Sequence, residues 1–214
     1  MSRAAVLAAA LALAAPPLAA QSSRLRADFE LDGAAVSSAP AIGAVNSFLS
    51  GGTFGGEGRF GLGPVRLDLG YWQGRLTGQS GPAVDEDVVE GKVLLGIAPT
   101  RWLTVSGGPY ARAYTTPAGT ERWFTWRVQA RVDQPIVPTT VTGYAELWIV
   151  AATTVNVVQP FSSGRGGNVG LRVSPQRWPV WLTLGYGVEQ IRLGDGARLD
   201  TVNRVTFGVG YSRR

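Results

Sequence analysis

The chain has no cysteine and no histidine, and it has one lysine and one methionine. Without cysteine there are no disulfides and no thiolate ligands for zinc. Without histidine there is no imidazole, the base on which Ser–His and Asp–His catalysis depends near neutral pH. Charge is also scarce. Only 16% of the 214 residues are charged, against roughly 25% in ordinary soluble domains. Lys92 is the single lysine, so the other basic residues are all arginine. Soluble surfaces normally carry many lysines and glutamates. The net charge of +5 is spread over single residues that alternate with acids. No basic stripe forms, which excludes a nucleic-acid partner.

Long apolar runs are missing too, apart from one at the N-terminus. Arg3 precedes an apolar stretch from Ala4 to Ala15, broken by Pro16 and Pro17 and followed by Leu18-Ala19-Ala20. This is the order of a secretory signal peptide, residues 1–20, cut before Gln21. The run falls short of the ~20 residues a membrane-spanning helix needs. No cysteine follows it to accept a lipid anchor. Residues 21–214 remain as one domain.

That domain has a period of two. Leu25, Ala27, Phe29 and Leu31 lie on one face of a strand, with Arg26, Asp28, Glu30 and Asp32 on the other. The same alternation returns with Phe60 and Leu62 against Glu57 and Arg59, and with Leu67, Leu69 and Tyr71 against Arg66 and Asp68. Val93 and Leu95 alternate with Glu90 and Lys92, and Ala111 and Ala113 with Tyr110 and Arg112. Trp126, Val128 and Ala130 alternate with Arg127, Gln129 and Arg131, and Ala145 and Leu147 with Tyr144 and Glu146. Then come Val169 and Leu171 against Arg172, Leu184 and Tyr186 against Glu189, and Val205, Phe207 and Val209 against Arg204. Ten strands result, with eight as the alternative count. Short Pro-containing turns (Gly63-Pro64, Ala98 to Arg101, Asp133 to Pro138, Ser174 to Pro179) alternate with longer connections at 38–51, 77–87, 115–120, 153–164 and 193–199.

With this pattern the chain resembles the bacterial outer-membrane β-barrel proteins. They combine an even number of antiparallel strands, short periplasmic turns, longer outer loops, an apolar outer band and a polar lumen. The resemblance covers nearly all of residues 21–214 and implies a closed, all-β, up-and-down transmembrane barrel exported to the outer membrane. It implies membrane lipid as surroundings and the barrel assembly machinery as a partner. That machinery would read the final strand Val205 to Tyr211, which Ser212-Arg213-Arg214 follow. The aromatics fit two membrane interfaces: Trp102, Trp178, Trp181 and Tyr211 at the short-turn end, and Tyr71, Trp72, Trp123, Phe124 and Tyr186 nearer the other. The rival architecture is a soluble up-and-down barrel that turns its apolar face inward around a ligand. Period two alone does not separate the two. Low charge, the near-absence of lysine and the two-ended aromatics favour the membrane.

The outer-membrane enzyme families rely on histidine, and the remaining acids, such as Asp28 and Glu30, read as salt-bridge partners. No cofactor or metal is implied. The lumen would hold Asp28, Glu30, Asp32, Glu57, Asp68, Glu90, Glu146 and Glu189 against Arg26, Arg59, Arg66, Lys92, Arg112, Arg127, Arg131, Arg172 and Arg204. Crossed ion pairs filling a narrow bore are the expected outcome. This predicts a structural or surface-interaction barrel. The alternatives are a narrow solute channel, biased to anions by Arg112, Arg127 and Arg131, and a barrel binding a lipid-like ligand. The apolar residues of the longer connections (Ile42, Val45, Phe48 and Leu49; Val155, Val157, Val158 and Phe161) read as strand extensions, or as segments folded over the barrel mouth, rather than as a docking surface. Asp85-Glu86-Asp87 reads as a solvated run rather than a cation site.

Overall fold

In a strand every second residue faces the same side, and in lipid every backbone amide must find a partner within the sheet. The chain answers both demands with alternating strands, ten of which pair with a neighbour on each side. The structure, a computed structural model, describes residues 25–156, 160–175, 178–194 and 197–213. The signal-peptide reading of residues 1–20, and Val157 and Val158, lie outside these. Among the described residues there are eleven strands: β1 (Leu25–Ile42), β2 (Val45–Asn46), β3 (Phe48–Leu62), β4 (Val65–Ser80), β5 (Glu86–Ile97), β6 (Leu103–Thr116), β7 (Gly119–Val137), β8 (Val141–Val155), β9 (Phe161–Val173), β10 (Val180–Leu193) and β11 (Arg198–Arg213).

Ten of them form a closed antiparallel barrel in which sequence neighbours pair throughout. The last strand closes on the first, with Leu31 opposite Val209 on one side and Gly56 on the other. β2 is a two-residue extension that pairs only with the end of β1. Followed once round the ring from Arg122, the register returns to β7 at Gln134. A stagger of that size over ten strands goes with a tilt of about 40°. Leu25 and Arg213, the first and last described residues, lie at one end of the barrel, the near end, together with the short turns. At one of these turns Gly63 takes a φ of 58°, which a side chain would resist.

The opposite, far end departs from the sequence reading. Among the described residues the connections expected at 38–51, 77–87, 115–120 and 153–164 are mostly strand, and the one at 193–199 is strand at Leu193 and from Arg198 onward. β1 runs to Ile42, β4 to Ser80, β6 to Thr116 and β8 to Val155. Period-two alternation continues through these segments, so the sheet continues with them.

The apolar row faces outward. Leu25, Leu31, Phe54, Leu95, Leu147, Leu184 and Phe207 are all exposed on the outer wall. On β10 the band runs from Val180 to Val188, matching the ~9–11 residues a tilted strand needs to cross a bilayer. Beyond it, toward the far end, the outward residues turn polar: Gln73, Arg75 and Thr77 on β4, Arg192 on β10, and Arg165 on β9.

Candidate functional site

The lumen is where the inward residues of all ten strands meet. Its centre is a lattice of charges. Arg112 on β6 reaches Glu90 on β5 at 3.0 Å and Glu189 on β10 at 2.6 Å. Glu189 also receives Arg127 from β7, and Arg204 on β11 joins Glu90 at 2.8 Å across the bore. Tyr110 accepts a hydrogen bond from Arg112 at 2.8 Å, and its ring carries the Arg127 guanidinium at 3.3 Å from the centroid. All four of the central partners Glu90, Arg112, Arg127 and Glu189 are buried.

Two further groups extend the lattice. Glu57 holds Arg59 at 2.7 Å and Lys92 at 2.9 Å. Arg131 pairs with Glu146 at 2.5 Å and with Asp133 at 2.8 Å, and lies over the Tyr144 ring. A buried ion is costly unless paired and hydrogen-bonded, so the matching of guanidinium forks to carboxylates keeps the interior stable. Asp133 reads as the start of a turn in the sequence; the structure makes it part of β7 and brings it into the lattice.

The near end of the lumen is different. Asp28 accepts from the Ser212 hydroxyl at 2.6 Å, and Glu30 from the Trp181 indole at 3.2 Å. Arg66 donates to the Gly63 carbonyl at 2.7 Å, and Arg172 lies over the Trp181 ring at 4.6 Å. Among the described residues Arg26, Arg66, Asp68 and Arg172 have no ion-pair partner, so the structure does not draw them into the lattice.

Of the predicted interface aromatics, Tyr71, Trp102, Phe124, Trp178, Tyr186 and Tyr211 are exposed on the outside. Trp72, Trp123 and Trp181 are not; they point inward and are buried. Trp72 donates to the Asp32 carboxylate at 2.8 Å. Its indole lies against Gly70, and that of Trp181 against Gly210, where a Cβ would overlap the ring. The signal for this correction was in the sequence. Tyr71 and Trp72 are adjacent, as are Trp123 and Phe124, and adjacent residues of a strand cannot both face lipid.

Toward the far end the inward row changes character. Ala34, Val36, Leu49, Leu76, Val88 and Val202 form one buried apolar cluster inside the barrel, and Trp123, Ile191 and Leu193 form a second. Tyr114 packs against both. Between this apolar layer and the far rim, Arg198 bridges Glu121 at 3.1 Å and Asp200 at 2.8 Å. Glu86 stands near them. Burial first, then the nearby Glu121 and Asp200 carboxylates, push its pKa up to about 7, and Arg198 only partly offsets this. Asp85 does not converge with its neighbours on a cation; it accepts from the Gly78 amide at 3.1 Å and meets Arg75 at 3.3 Å. Among the described residues no cluster has the make-up of a metal site.

No protein-family model and no curated protein matches the chain. Solved structures do. The outer membrane protease OmpT of Escherichia coli superposes with a TM-score of 0.57 at 6% identity, covering 91% of this chain and 98% of that one. The chain has the fold of a bacterial outer-membrane β-barrel. Neisserial surface protein A also matches, with a TM-score of 0.44 at 13% identity over 86% of this chain and 96% of the other. So does the translocator domain of the autotransporter NalP from Neisseria meningitidis, with a TM-score of 0.45 at 15% identity over 97% and 95%. A closed sheet whose apolar band faces outward requires lipid around it, and the outer membrane is where barrels of this kind reside. The barrel therefore does not turn an apolar wall inward around a ligand within the membrane. Its lumen there is charged.

Proposed function

We propose that the protein is a closed, non-enzymatic barrel that serves the outer membrane as a structural and surface element rather than as a channel. One observation carries this reading: the bore is obstructed at two levels, although a cavity of about 140 Å³ remains among the charges. The ion-pair lattice crosses it at the level of Glu90, Arg112, Arg127 and Glu189, and the apolar layer of Leu49, Leu76, Val88, Ile191 and Leu193 fills it above. An ion passing through would have to break paired charges and then cross a dry apolar constriction, which excludes water. The absence of histidine supports the non-enzymatic part. We propose further that the assembly machinery receives the barrel through β11, whose outward Val205, Phe207, Val209 and Tyr211 form its last apolar row.

Planar-bilayer recording tests the closed state. The purified barrel is expected to give a quiet baseline. Discrete current steps that change ion selectivity when Arg127 is replaced by Gln would overturn it in favour of a narrow anion channel.

A further inference from the structure

Inside the barrel the arginines of the central lattice meet carboxylates. Outside, above the apolar band, several do not. Arg122 on β7, Arg165 on β9 and Arg192 on β10 are exposed on the outer wall, and among the described residues none of their side chains has a partner. Arg122 has a further feature beneath it. A groove of about 570 Å³ opens in the outer wall there, with small residues (Gly91, Ala111, Ala113) for its floor and Tyr71, Val89 and Phe124 around it. Glu90 and Arg112 also border it, but they turn inward and are engaged with each other at 3.0 Å. Arg122 is thus the free charge at the groove.

The groove opens at the upper edge of the lipid-facing wall, where Tyr71 adjoins Gln73 and the wall turns polar, so the headgroup end of a lipid and the start of its chain are what meet it. Tyr71 and Phe124 are amphipathic or aromatic groups of the type that settle at the membrane–water boundary. The guanidinium at the groove's upper end offers paired donors of the geometry that suits a phosphate. We infer that this groove is a binding site for one phosphate-bearing membrane lipid, with an acyl chain between Tyr71 and Phe124 and its phosphate on Arg122.

The barrel purified in a non-ionic detergent and examined by native mass spectrometry provides the test, with dipalmitoyl phosphatidylglycerol and dipalmitoyl glycerol as probes. A discrete one-to-one adduct is expected with the phosphatidylglycerol and not with the neutral lipid. Arg122→Ala should lower occupancy about fivefold, the effect of removing one basic residue from anionic lipid. Ala111→Phe, which fills the groove and leaves Arg122 in place, should lower it as well. Arg192→Ala, on the far side of β9, should leave it unchanged. Folding of each variant is read from its heat-dependent mobility shift. Equal binding of the neutral lipid, undiminished binding by folded Arg122→Ala, or equal loss with Arg192→Ala would each overturn the site.

Discussion

The lumen within the membrane band and the lumen beyond it are built on opposite rules. In the band the outer wall is apolar and the bore holds Glu57, Glu90, Glu189 and their arginines. In the far third the outer wall carries Gln73, Arg75, Thr77 and Arg192, and the bore holds Val36, Leu76, Ile191 and Leu193. The strands are continuous across the change, and so is their period. What changes is the solvent outside. A wall that meets lipid must be apolar outward, leaving the inside to paired charges. A wall that meets water can be polar outward, and the inside then gains from apolar burial. One barrel thus contains a membrane protein below and a soluble-type barrel above, and the boundary between them is written in the sequence as an inversion of polarity at constant period.

Breaking the charged half should have the largest effect. Glu189→Ala leaves Arg127 buried with only aromatic neighbours and strips Arg112 of one of two carboxylates. Removing one member of a buried ion pair costs about 3–5 kcal/mol. The temperature at which the barrel loses its mobility shift in detergent should fall accordingly. A shift no larger than that of a surface variant would mean that the lattice is hydrated and weakly coupled. The outer wall offers the next contrast. Leu184→Arg, in the middle of the lipid-facing row, should cost about 2–4 kcal/mol in lipid vesicles. Thr201→Arg, on the same wall beyond the band, should stay within about 0.5 kcal/mol. Urea titrations of the two folded into the same vesicles give the comparison directly, and equal costs would move the membrane boundary. In the apolar half, Leu193→Ala removes a fully buried side chain. Large-to-small changes cost about 2–5 kcal/mol, and a cluster near the barrel mouth has room to relax, so the lower end is expected.

The closed barrel, its strand count and the face of each strand were legible because lipid imposes one rule on every strand it touches. Residues such as Phe29 against Glu30, or Leu184 against Thr183, declare their faces without any tertiary knowledge. The pairings were not legible. Nothing in the alternation says that Glu189 meets Arg112 and Arg127 while Asp28 meets Ser212, because those choices depend on the stagger of the ring. The upper layer was hidden for a different reason. Leu193 falls in a segment that reads as a connection, 193–199, and Leu76 borders another, 77–87, on the expectation that residues beyond the membrane are loop. Once strands are allowed to continue into water, the same period places both inside. Trp72 and Trp181 have the composition of girdle aromatics, but their parity along the strand sets them on the inner face. Their inward recesses at Gly70 and Gly210 are a feature of packing, visible only in three dimensions.

The finest test of the boundary is pH, because Glu86 belongs to the upper region and lies outside the lipid-facing band. Its folded-state pKa is raised to about 7, by burial first and then by the facing Glu121 and Asp200, with Arg198 and Arg112 opposing them. An acid whose pKa is raised by folding is easier to keep protonated in the native state than in the unfolded chain. Its contribution is therefore most favourable at low pH and declines as pH rises from the ordinary glutamate range through about 7. Stability of the upper region should fall over that window and level off above it. The fall should be small, since the side chain is only partly buried and solvent screens it. Hydrogen exchange of the β4–β5 amides at fixed intrinsic rate isolates this region from the membrane part. Glu86→Gln should flatten the profile while leaving the low-pH value in place. An unchanged slope in that variant would transfer the effect to Asp200, whose carboxyl is also raised by burial.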